Sequence, residues 1–457
     1  MCHVVYYILC CQELYRVLMI TISEATDPIM RKAEKVLEIA ILADDITGAA
    51  DTGVQFLPAY APIYLIDHRS ISVGISADLP QGISVFTNSR GLASGEAIQA
   101  VSAASQAIRA LNPRRVYKKI DSALRGHIGA ELETAMESLG LPYSFIAPAF
   151  PGQGRTTVAG IHRINDVPVA ETEIGLDPVT PVTESFLPTW IDRNTRWPAA
   201  HVNLGRIDAD PNVFSNEIAR LRSRGARHIS FDATQTRHLD RIARLALDYY
   251  PDTLLCGSAG LAASVVRQLP KRISSEADRP ETGIPVGAAG FLFVCGSASQ
   301  NLRLQAVELA KHADVSIETI DSALLAGDGN AQAKQAILNR MATALAEKDL
   351  VLQVTRPGMG SPAVDPQRLM AALSELAVML VKLVKPAGLF LSGGDTAIAV
   401  FERLHVSAVR LQRELPGGLV YGTISGGVMA GRPIITKAGS FGEPEALLRL
   451  WRALVRS

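Results

Sequence analysis

From Val36 onward, short apolar segments alternate with amphipathic segments of helical period, and this alternation limits the possible folds more than any other feature. Strands separated by helices favour parallel sheets that helices cover on both faces. Strands are predicted at residues 39–43, 63–66, 84–87, 116–120, 144–147, 229–232, 254–257, 291–295, 315–319, 350–355 and 389–391. The sequence therefore predicts an α/β protein of two domains, each with a mostly parallel sheet flanked by helices, and a cleft between them.

The domain boundaries follow from length and composition. A chain of 457 residues is too long for one ordinary core and suggests about two or three domains. The polar stretch 273–289 (ISSEADRPETGIPVGAA) is the best linker candidate, so we expect domains at 36–272 and 290–457. Residues 1–35 form an N-terminal extension, which we interpret as an over-extended start or a loosely packed tail, with Met30 as a candidate natural start.

Charge and cysteine usage exclude several classes of protein. The 45 basic and 45 acidic residues cancel, so no global field exists to attract nucleic acid or an anionic membrane. The five cysteines do not suggest a disulfide framework or a zinc site, and Cys256 and Cys295 end apolar runs typical of buried strands. Polar residues interrupt the apolar N-terminus and no basic segment precedes it, so we expect a cytoplasmic protein.

The first strand leads into LADDITGAADTGVQF, which places two adjacent carboxylates, Asp44 and Asp45, before a helix. In open α/β sheets, ligands collect at this carboxyl edge. Such carboxylates can orient a hydroxyl, accept its proton or hold a hydrated magnesium ion. The alternative is that one of them, Asp45 more readily than Asp44, only caps the helix.

Two further strands end in charged residues. Arg90 follows a strand in VFTNSRG, and its planar guanidinium matches a carboxylate, although a solvated arginine is the alternative. The most distinctive segment is VYKKIDSALRGHIGAELE, where strand alternation sends Lys118 and Ile120 to one face and Lys119 and Asp121 to the other. The candidate binding residues of this segment are Lys118, Lys119, Ile120, Asp121, Ser122 and Arg125. A mixture of cations and a carboxylate suits a hydroxy acid, and a surface ion-pair cluster is the alternative.

Between residues 148 and 188 the helical period disappears, and Asn165-Asp166 between IHRI and VPV predicts a β-hairpin. We expect this excursion to shape a substrate pocket. Arg155 lies in a Gly-rich turn before it and is a candidate ligand residue. His162 is a weak candidate, because a lone histidine in a strand is more often structural.

The second half contains two strand-Gly-helix turns, in FLFVCGSASQNL and LFLSGGDTAIAVF. Small residues there leave backbone N–H groups free to bind phosphate at a helix N-terminus. Lys437 and Gly439 follow a later strand, with ordinary turn glycines as the alternative. The candidate phosphate-binding residues are Ser297, Ser299, Gly393, Gly394, Asp395, Thr396, Lys437 and Gly439. The chain lacks a GxxxxGK[ST] loop, the protein-kinase signatures and a GxGxxG after the first strand, which disfavours those nucleotide folds.

These segments resemble the four-carbon acid sugar kinase family from about Leu37 to the end of the chain. The resemblance depends on LADDITGAADTGVQF, YKKIDSALRGHIGAE, APAFPGQGRTTVAGIHRIND, ETEIGLDPVTPV, VCGSAS, LSGGDTA and TKAGSFG. It implies an N-terminal domain that binds a four-carbon sugar acid, a C-terminal domain that binds ATP, and a 4-phospho product. The KKIDSALRGHIGAE and RTTVAG segments look most like the D-threonate kinase branch, with D-erythronate and 3-oxo-tetronate as alternative substrates. Ala123 stands where the family has Thr.

On this resemblance, Asp44, Arg90 and residues 118–121 bind the acid, and Ser297, Gly393 to Thr396 and Gly439 bind ATP. We expect Arg90, Lys119 and Arg125 to hold the substrate carboxylate, and closure of the cleft to bring the terminal hydroxyl to the γ-phosphate. Asp44 is favoured over Asp121 as the base, and Mg²⁺ is expected with ATP. The alternatives are a non-catalytic sugar-acid-binding protein and a nicotinamide-dependent enzyme. A homodimer is the default assembly.

Overall fold

The computed structural model describes residues 36–71, 80–177, 179–193, 195–271, 289–296, 300–326, 331–355, 365–437 and 443–455. Residues from Leu37 onward belong to a single compact unit. The predicted linker lies outside the described residues, except for Ala289. None of the described helices is long and apolar enough to cross a lipid bilayer.

Strands and helices alternate through the first half, as the hydrophobic pattern predicts. The strands of the main sheet are β1 (Ile39–Ala43), β2 (Ile63–Asp67), β3 (Gly82–Phe86), β4 (Arg115–Lys119), β5 (Tyr143–Ala147), β9 (Ala199–Val202), β10 (His228–Phe231) and β11 (Thr253–Gly257). A small separate sheet contains β6 (Arg155–Val158), β7 (Ile161–Ile164) and β8 (Val167–Pro168). The α-helices are α1 (Ile46–Tyr60), α2 (Ser94–Ala110), α3 (Ile128–Leu139), α4 (Leu187–Asp192), α5 (Leu204–Ile207), α6 (Pro211–Ser223), α7 (Thr236–Tyr249) and α8 (Ala259–Gln268).

The second half repeats the alternation and ends in longer strands. Its strands are β12 (Leu292–Cys295), β13 (Val315–Ile320), β14 (Asp349–Val354), β15 (Leu389–Ser392), β16 (Ala408–Leu415), β17 (Leu419–Ser425) and β18 (Pro433–Lys437). Its helices are α9 (Gln300–His312), α10 (Ser322–Ala326), α11 (Ala331–Glu347), α12 (Pro366–Val384), α13 (Gly394–Leu404) and α14 (Ala446–Val455). Cys256 and Cys295 are free and buried at strand ends, as predicted.

One 15-stranded sheet runs through both halves in the order β13-β14-β12-β15-β18-β17-β16-β2-β3-β1-β4-β11-β5-β10-β9. Within each half the pairing is parallel apart from β17, which is antiparallel to both of its neighbours. The predicted α/β class is therefore confirmed. The sequence did not predict the antiparallel pairing of β16 with β2, which joins the two parallel regions into one sheet.

The two halves also share an apolar core. One buried cluster includes Ile46 and Leu65 from the first half and Leu411, Ile424 and Ile434 from the second. Helix α1 lies at this junction, where it contacts β16, β17, β18 and α13. Because Asp44 and Asp45 lie between β1 and α1, this junction positions the two carboxylates beside the second half.

The predicted hairpin is present as β7 and β8. Asn165 and Asp166 form its turn with φ of 48° and 66°, a left-handed conformation that Asn and Asp tolerate better than most residues. β7 also pairs with β6. This small sheet packs beside the turn that follows β4, where His162 of β7 contacts Ser122.

Candidate active site

The carboxyl end of β1 holds two aspartates with different roles. All five residues of β1 are buried, and Asp44 and Asp45 follow directly. Asp45 caps α1: its Oδ1 accepts a hydrogen bond from Gly48 N at 3.0 Å, and Thr47 Oγ1 donates to its other oxygen. Asp45 therefore caps α1 as the alternative predicted, but capping is not its only role, because it also binds Arg90 and lines the cleft.

Arg90 is held by both aspartates. Its Nε donates to Asp44 Oδ2 at 2.7 Å, and its Nη2 donates to Asp44 Oδ1 at 3.1 Å and to Asp45 Oδ1 at 2.7 Å. Burial alone would raise the pKa of Asp44, but the charge and hydrogen bonds of Arg90, helped by two nearby lysines, hold this pKa below its usual value. The guanidinium is thus engaged within the protein, so an incoming carboxylate would compete with two aspartates for it.

The end of β4 separates its two lysines as strand alternation predicts. Lys118 is fully buried and forms an ion pair with Glu131 of α3, with Nζ 2.7 Å from Oε2. Ile120 packs in the apolar core on the same side. The structure therefore places Lys118 and Ile120 away from the cleft, on the opposite face of the strand from Lys119.

Lys119 lines the cleft and is 5% exposed. A Cβ atom at Gly48 would lie 2.9 Å from Lys119 Nζ, so the glycine leaves room for the lysine beside the first turn of α1. Within the described residues, no hydrogen bond or ion pair involves this amine. Lys119 is therefore available to bind an anionic group.

The turn after β4 contains a second ion pair. Arg125 Nε donates to Asp121 Oδ2 at 2.6 Å, and Arg125 also lies 3.8 Å from Asp177. Burial would raise the pKa of Asp121, but the charges of Arg125, Arg90 and Lys119 lower it far below its usual value. Asp121 and Arg125 line the cleft together with Ser122.

The small sheet supports this turn through His162. Its Nε2 lies 2.8 Å from the carbonyl oxygen of Ser122, and its Nδ1 lies 3.0 Å from Thr157 Oγ1. Burial lowers the pKa of His162 to about 4, so the ring is neutral near pH 7. His162 is thus structural. Arg155 donates to the carbonyl oxygen of Gln153 and is not among the residues that line the cleft.

In the second half, β15 and β18 end side by side. Gly393 has a φ of 99°, which favours glycine, and its N–H donates to Lys437 O at 3.0 Å. A Cβ atom at Gly394 would lie 3.7 Å from Asp45 Oδ2, so the start of α13 is next to Asp45. Burial lowers the pKa of Lys437 to about 8, and Lys437 lines the cleft. Asp395 is exposed and Thr396 buried in the first turn of α13.

Three of the predicted phosphate-binding residues, Ser297, Ser299 and Gly439, lie outside the described residues. Their positions stay predictions.

One cleft collects side chains from both halves. The first half contributes Asp45, Thr47, Gly48, Asp51, Arg90, Lys119, Asp121, Ser122, Arg125, Phe150 and Gln153, and the second contributes Glu414, Gly418, Val420, Thr436 and Lys437. The sequence did not single out Asp51, Gln153, Glu414 or Thr436. Asp51 follows Thr47 by four residues on α1, and this helical spacing is the signal that could have identified it.

The described residues do not form a magnesium site by themselves. No cluster of three or more His, Cys, Asp or Glu side chains occurs in the described part of the chain. In kinases, phosphate oxygens and one or two carboxylates hold Mg²⁺, but Asp44 and Asp45 already bind Arg90.

Two family descriptions match the chain: "Sugar-binding N-terminal domain" over residues 39–265 and "Nucleotide-binding C-terminal domain" over residues 292–447. The D-threonate kinase of Bordetella bronchiseptica is 32% identical over 421 residues, covering 91% of this chain and 97% of that protein. The chain belongs to the four-carbon acid sugar kinase family.

Other members of this kinase family differ in their named substrates. A D-threonate kinase of Salmonella typhimurium is 30% identical and covers 90% of this chain and 97% of its own length. A D-erythronate kinase of Heliobacterium modesticaldum is 28% identical, covering 89% of this chain and 95% of its own. A solved Salmonella typhimurium structure, described as a putative tRNA synthase, has a TM-score of 0.75 at 21% identity and covers 91% of this chain and 99% of its own. At that identity it supports the shared fold.

Proposed function

We propose that this chain, an ATP-dependent kinase of four-carbon sugar acids, transfers the γ-phosphoryl group of ATP to the terminal 4-hydroxyl of D-threonate. The proposal depends mainly on one observation. The cations and carboxylates at the strand ends of the first half line the same cleft as Lys437, which lies beside the glycine turn of the second half. The two halves share a sheet and a core, and this supports the proposal that candidate groups of both halves act at one cleft.

On the acid side, Lys119 and Arg125 are the proposed contacts for the substrate carboxylate. The amine of Lys119 is available, and the guanidinium of Arg125 is bound to Asp121 mainly through Nε. Arg90 has a supporting role in this proposal, because it orients Asp44 and Asp45. This arrangement gives a carboxylate two cations while Asp121 faces the hydroxyl groups.

On the nucleotide side, the N-terminus of α13 and Lys437 are the proposed phosphate contacts. The first turn of a helix offers free N–H groups and a partial positive charge, and Gly393 and Gly394 let phosphate oxygens approach them. Lys437, with its pKa near 8, is mostly protonated at neutral pH and adds a full charge. Fixed donors of this kind stabilise the charge that develops during phosphoryl transfer.

The choice of D-threonate depends on the two relatives at 32% and 30% identity, both named D-threonate kinases, and on the KKIDSALRGHIGAE segment. Ala123, which departs from the family's Thr, is buried and is not among the residues that line the cleft. D-erythronate and 3-oxo-tetronate stay the alternatives, because relatives that use them are 28% and 25% identical.

A substrate panel tests the proposal. ADP release is measured with D-threonate, D-erythronate, 3-oxo-tetronates and 4-hydroxythreonine at fixed ATP. We expect the highest kcat/KM for D-threonate. A higher kcat/KM for another acid reassigns the substrate, and release with none of them contradicts the proposal. The proposed homodimer is checked on the same preparation by light scattering after size exclusion.

A further inference from the structure

Three aspartates in or beside the cleft are engaged by arginine. Asp44 accepts two hydrogen bonds from Arg90, Asp45 accepts one from Arg90 and caps α1, and Asp121 binds Arg125. The charges that hold the pKa of Asp44 and of Asp121 below the usual value also make both poor proton acceptors near neutral pH. Neither Asp44 nor Asp121 is therefore well suited to accept the proton of the substrate hydroxyl.

Asp51 differs from these three aspartates. It lies on α1 one turn after Thr47, on the face that carries Gln55 a further turn along, and it lines the cleft. Gln55 Nε2 donates to Glu414 Oε2 at 2.8 Å, so this face of α1 meets β16 of the second half. Within the described residues, no hydrogen bond or ion pair involves the Asp51 carboxylate. Its oxygens are thus available to a ligand at the junction of the two halves.

The surroundings of Asp51 make it a stronger base than an ordinary aspartate. Burial raises the pKa of Asp51 to about 6, against the opposing charge of Lys119 and with support from the negative charges of Glu414 and Asp45. The charged groups that act on it are Lys119 of β4, Glu414 of β16 and Asp45, and the titratable group of Tyr117 on β4 also interacts with it. A carboxylate with this pKa is ionised at pH 7 and still accepts a proton readily.

We propose that Asp51 is the catalytic base that removes the proton from the substrate hydroxyl during phosphoryl transfer, in place of Asp44 or Asp121. The proposal rests on the kinase function given above. The hydroxyl oxygen forms a bond to the γ-phosphorus, the bond between that phosphorus and the β,γ-bridging oxygen breaks, and ADP leaves with the electron pair. The hydroxyl proton passes to the Asp51 carboxylate and then to solvent.

The test compares wild-type enzyme with Asp51→Asn over pH 5 to 9. In the wild type, kcat should fall as the pH drops through about 6, because Asp51 becomes protonated. Asp51→Asn should lower kcat by about 100-fold or more, the usual contribution of a general base, and should abolish that acid limb. The KM values for ATP and acid should change only a few-fold. Retention of kcat within tenfold, with an unchanged acid limb, overturns the proposal.

A second variant keeps the proposal testable if Asp51→Asn does not fold. The charge of Glu414 raises the pKa of Asp51, so Glu414→Gln should move the acid limb of kcat to lower pH. A limb that does not move contradicts the assignment. These outcomes differ from failure of the proposed function, which appears as the absence of wild-type ADP release with every acid of the panel.

Discussion

The strand ends of the two halves face the same cleft but are built differently. In the first half, charged side chains hold one another: Arg90 binds Asp44 and Asp45, and Arg125 binds Asp121. In the second half, Lys437 lines the cleft, and the glycine turn that begins α13 lies beside Lys437. We expect the first arrangement to recognise a ligand through side-chain charge, and the second through backbone N–H groups.

This difference predicts which property a substitution in each half should change. Side-chain charges in a buried network are coupled, so removing one leaves its partners without compensation. Backbone donors have no side chain to remove, and they respond only to substitutions that change the backbone or fill the space beside it. Substitutions in the first half should therefore affect stability and acid binding, and those in the second half should affect ATP binding.

The largest effect is expected for Arg90→Met. It leaves Asp44 and Asp45 buried without their shared cation, and loss of one partner of a buried ion pair costs about 3–5 kcal/mol in the free energy of unfolding. The measurement is urea unfolding. Arg69→Met is the matched control: Arg69 also bridges two carboxylates, Asp67 and Glu402, but its side chain is 57% exposed, so a loss below about 1 kcal/mol is expected. Equal losses in the two variants would contradict this account.

The adjacent lysines of β4 provide the next test. Lys118→Met should lower the free energy of unfolding by about 3 kcal/mol, because Glu131 loses its buried partner. Lys119→Met should lower the free energy of unfolding by less than Lys118→Met does, because within the described residues no hydrogen bond or ion pair involves its amine, and should raise KM for the acid about tenfold or more, a loss of about 1.4 kcal/mol in binding. Unfolding curves and steady-state kinetics on both variants separate the two effects. A larger loss of stability in Lys119→Met, together with a larger rise of KM in Lys118→Met, would contradict the placement of the two lysines on opposite faces of β4.

The smallest effects are expected from two glycine substitutions. Gly393→Ala puts a Cβ atom on a residue with a φ of 99° and a ψ of 137°, a conformation essentially restricted to glycine, which costs about 1–3 kcal/mol and should raise KM for ATP a few-fold. Gly48→Ala puts a Cβ atom 2.5 Å from Asp45 Oδ1 and 2.9 Å from Lys119 Nζ, and should raise KM for the acid while sparing ATP. Initial-rate measurements with each substrate varied in turn decide this. Identical patterns in the two variants would remove the distinction between the halves.

Local pattern predicted much of the fold and part of the site. The strand period placed Lys118 and Lys119 on opposite faces, and the spacing after β1 identified Asp45 as a possible cap, because both properties depend on neighbouring residues alone. The hairpin turn at Asn165 and Asp166 could also be predicted from its residue types.

Features that depend on distant pairing could not be predicted in this way. The pairing of β16 with β2 brings Glu414 next to α1, and no local pattern marks it. The hydrogen bonds of Arg90 to Asp44 and Asp45 join residues about 45 positions apart. The sequence therefore suggested that the guanidinium of Arg90 was available to a ligand, although in the structure it is bound to the two aspartates. The raised pKa of Asp51 likewise depends on burial and on neighbours from both halves.

The central claim is that the acid and ATP meet in the cleft lined by Lys119 and Lys437. The most direct measurement is the distance from the terminal hydroxyl oxygen of bound D-threonate to the γ-phosphorus of a non-hydrolysable ATP analogue in a ternary crystal structure. We predict a separation of about 3–3.5 Å, the range from which the oxygen can attack, with the acid against Lys119. Two ligands bound in separate sites, with Lys119 and Lys437 contacting neither, would contradict the account.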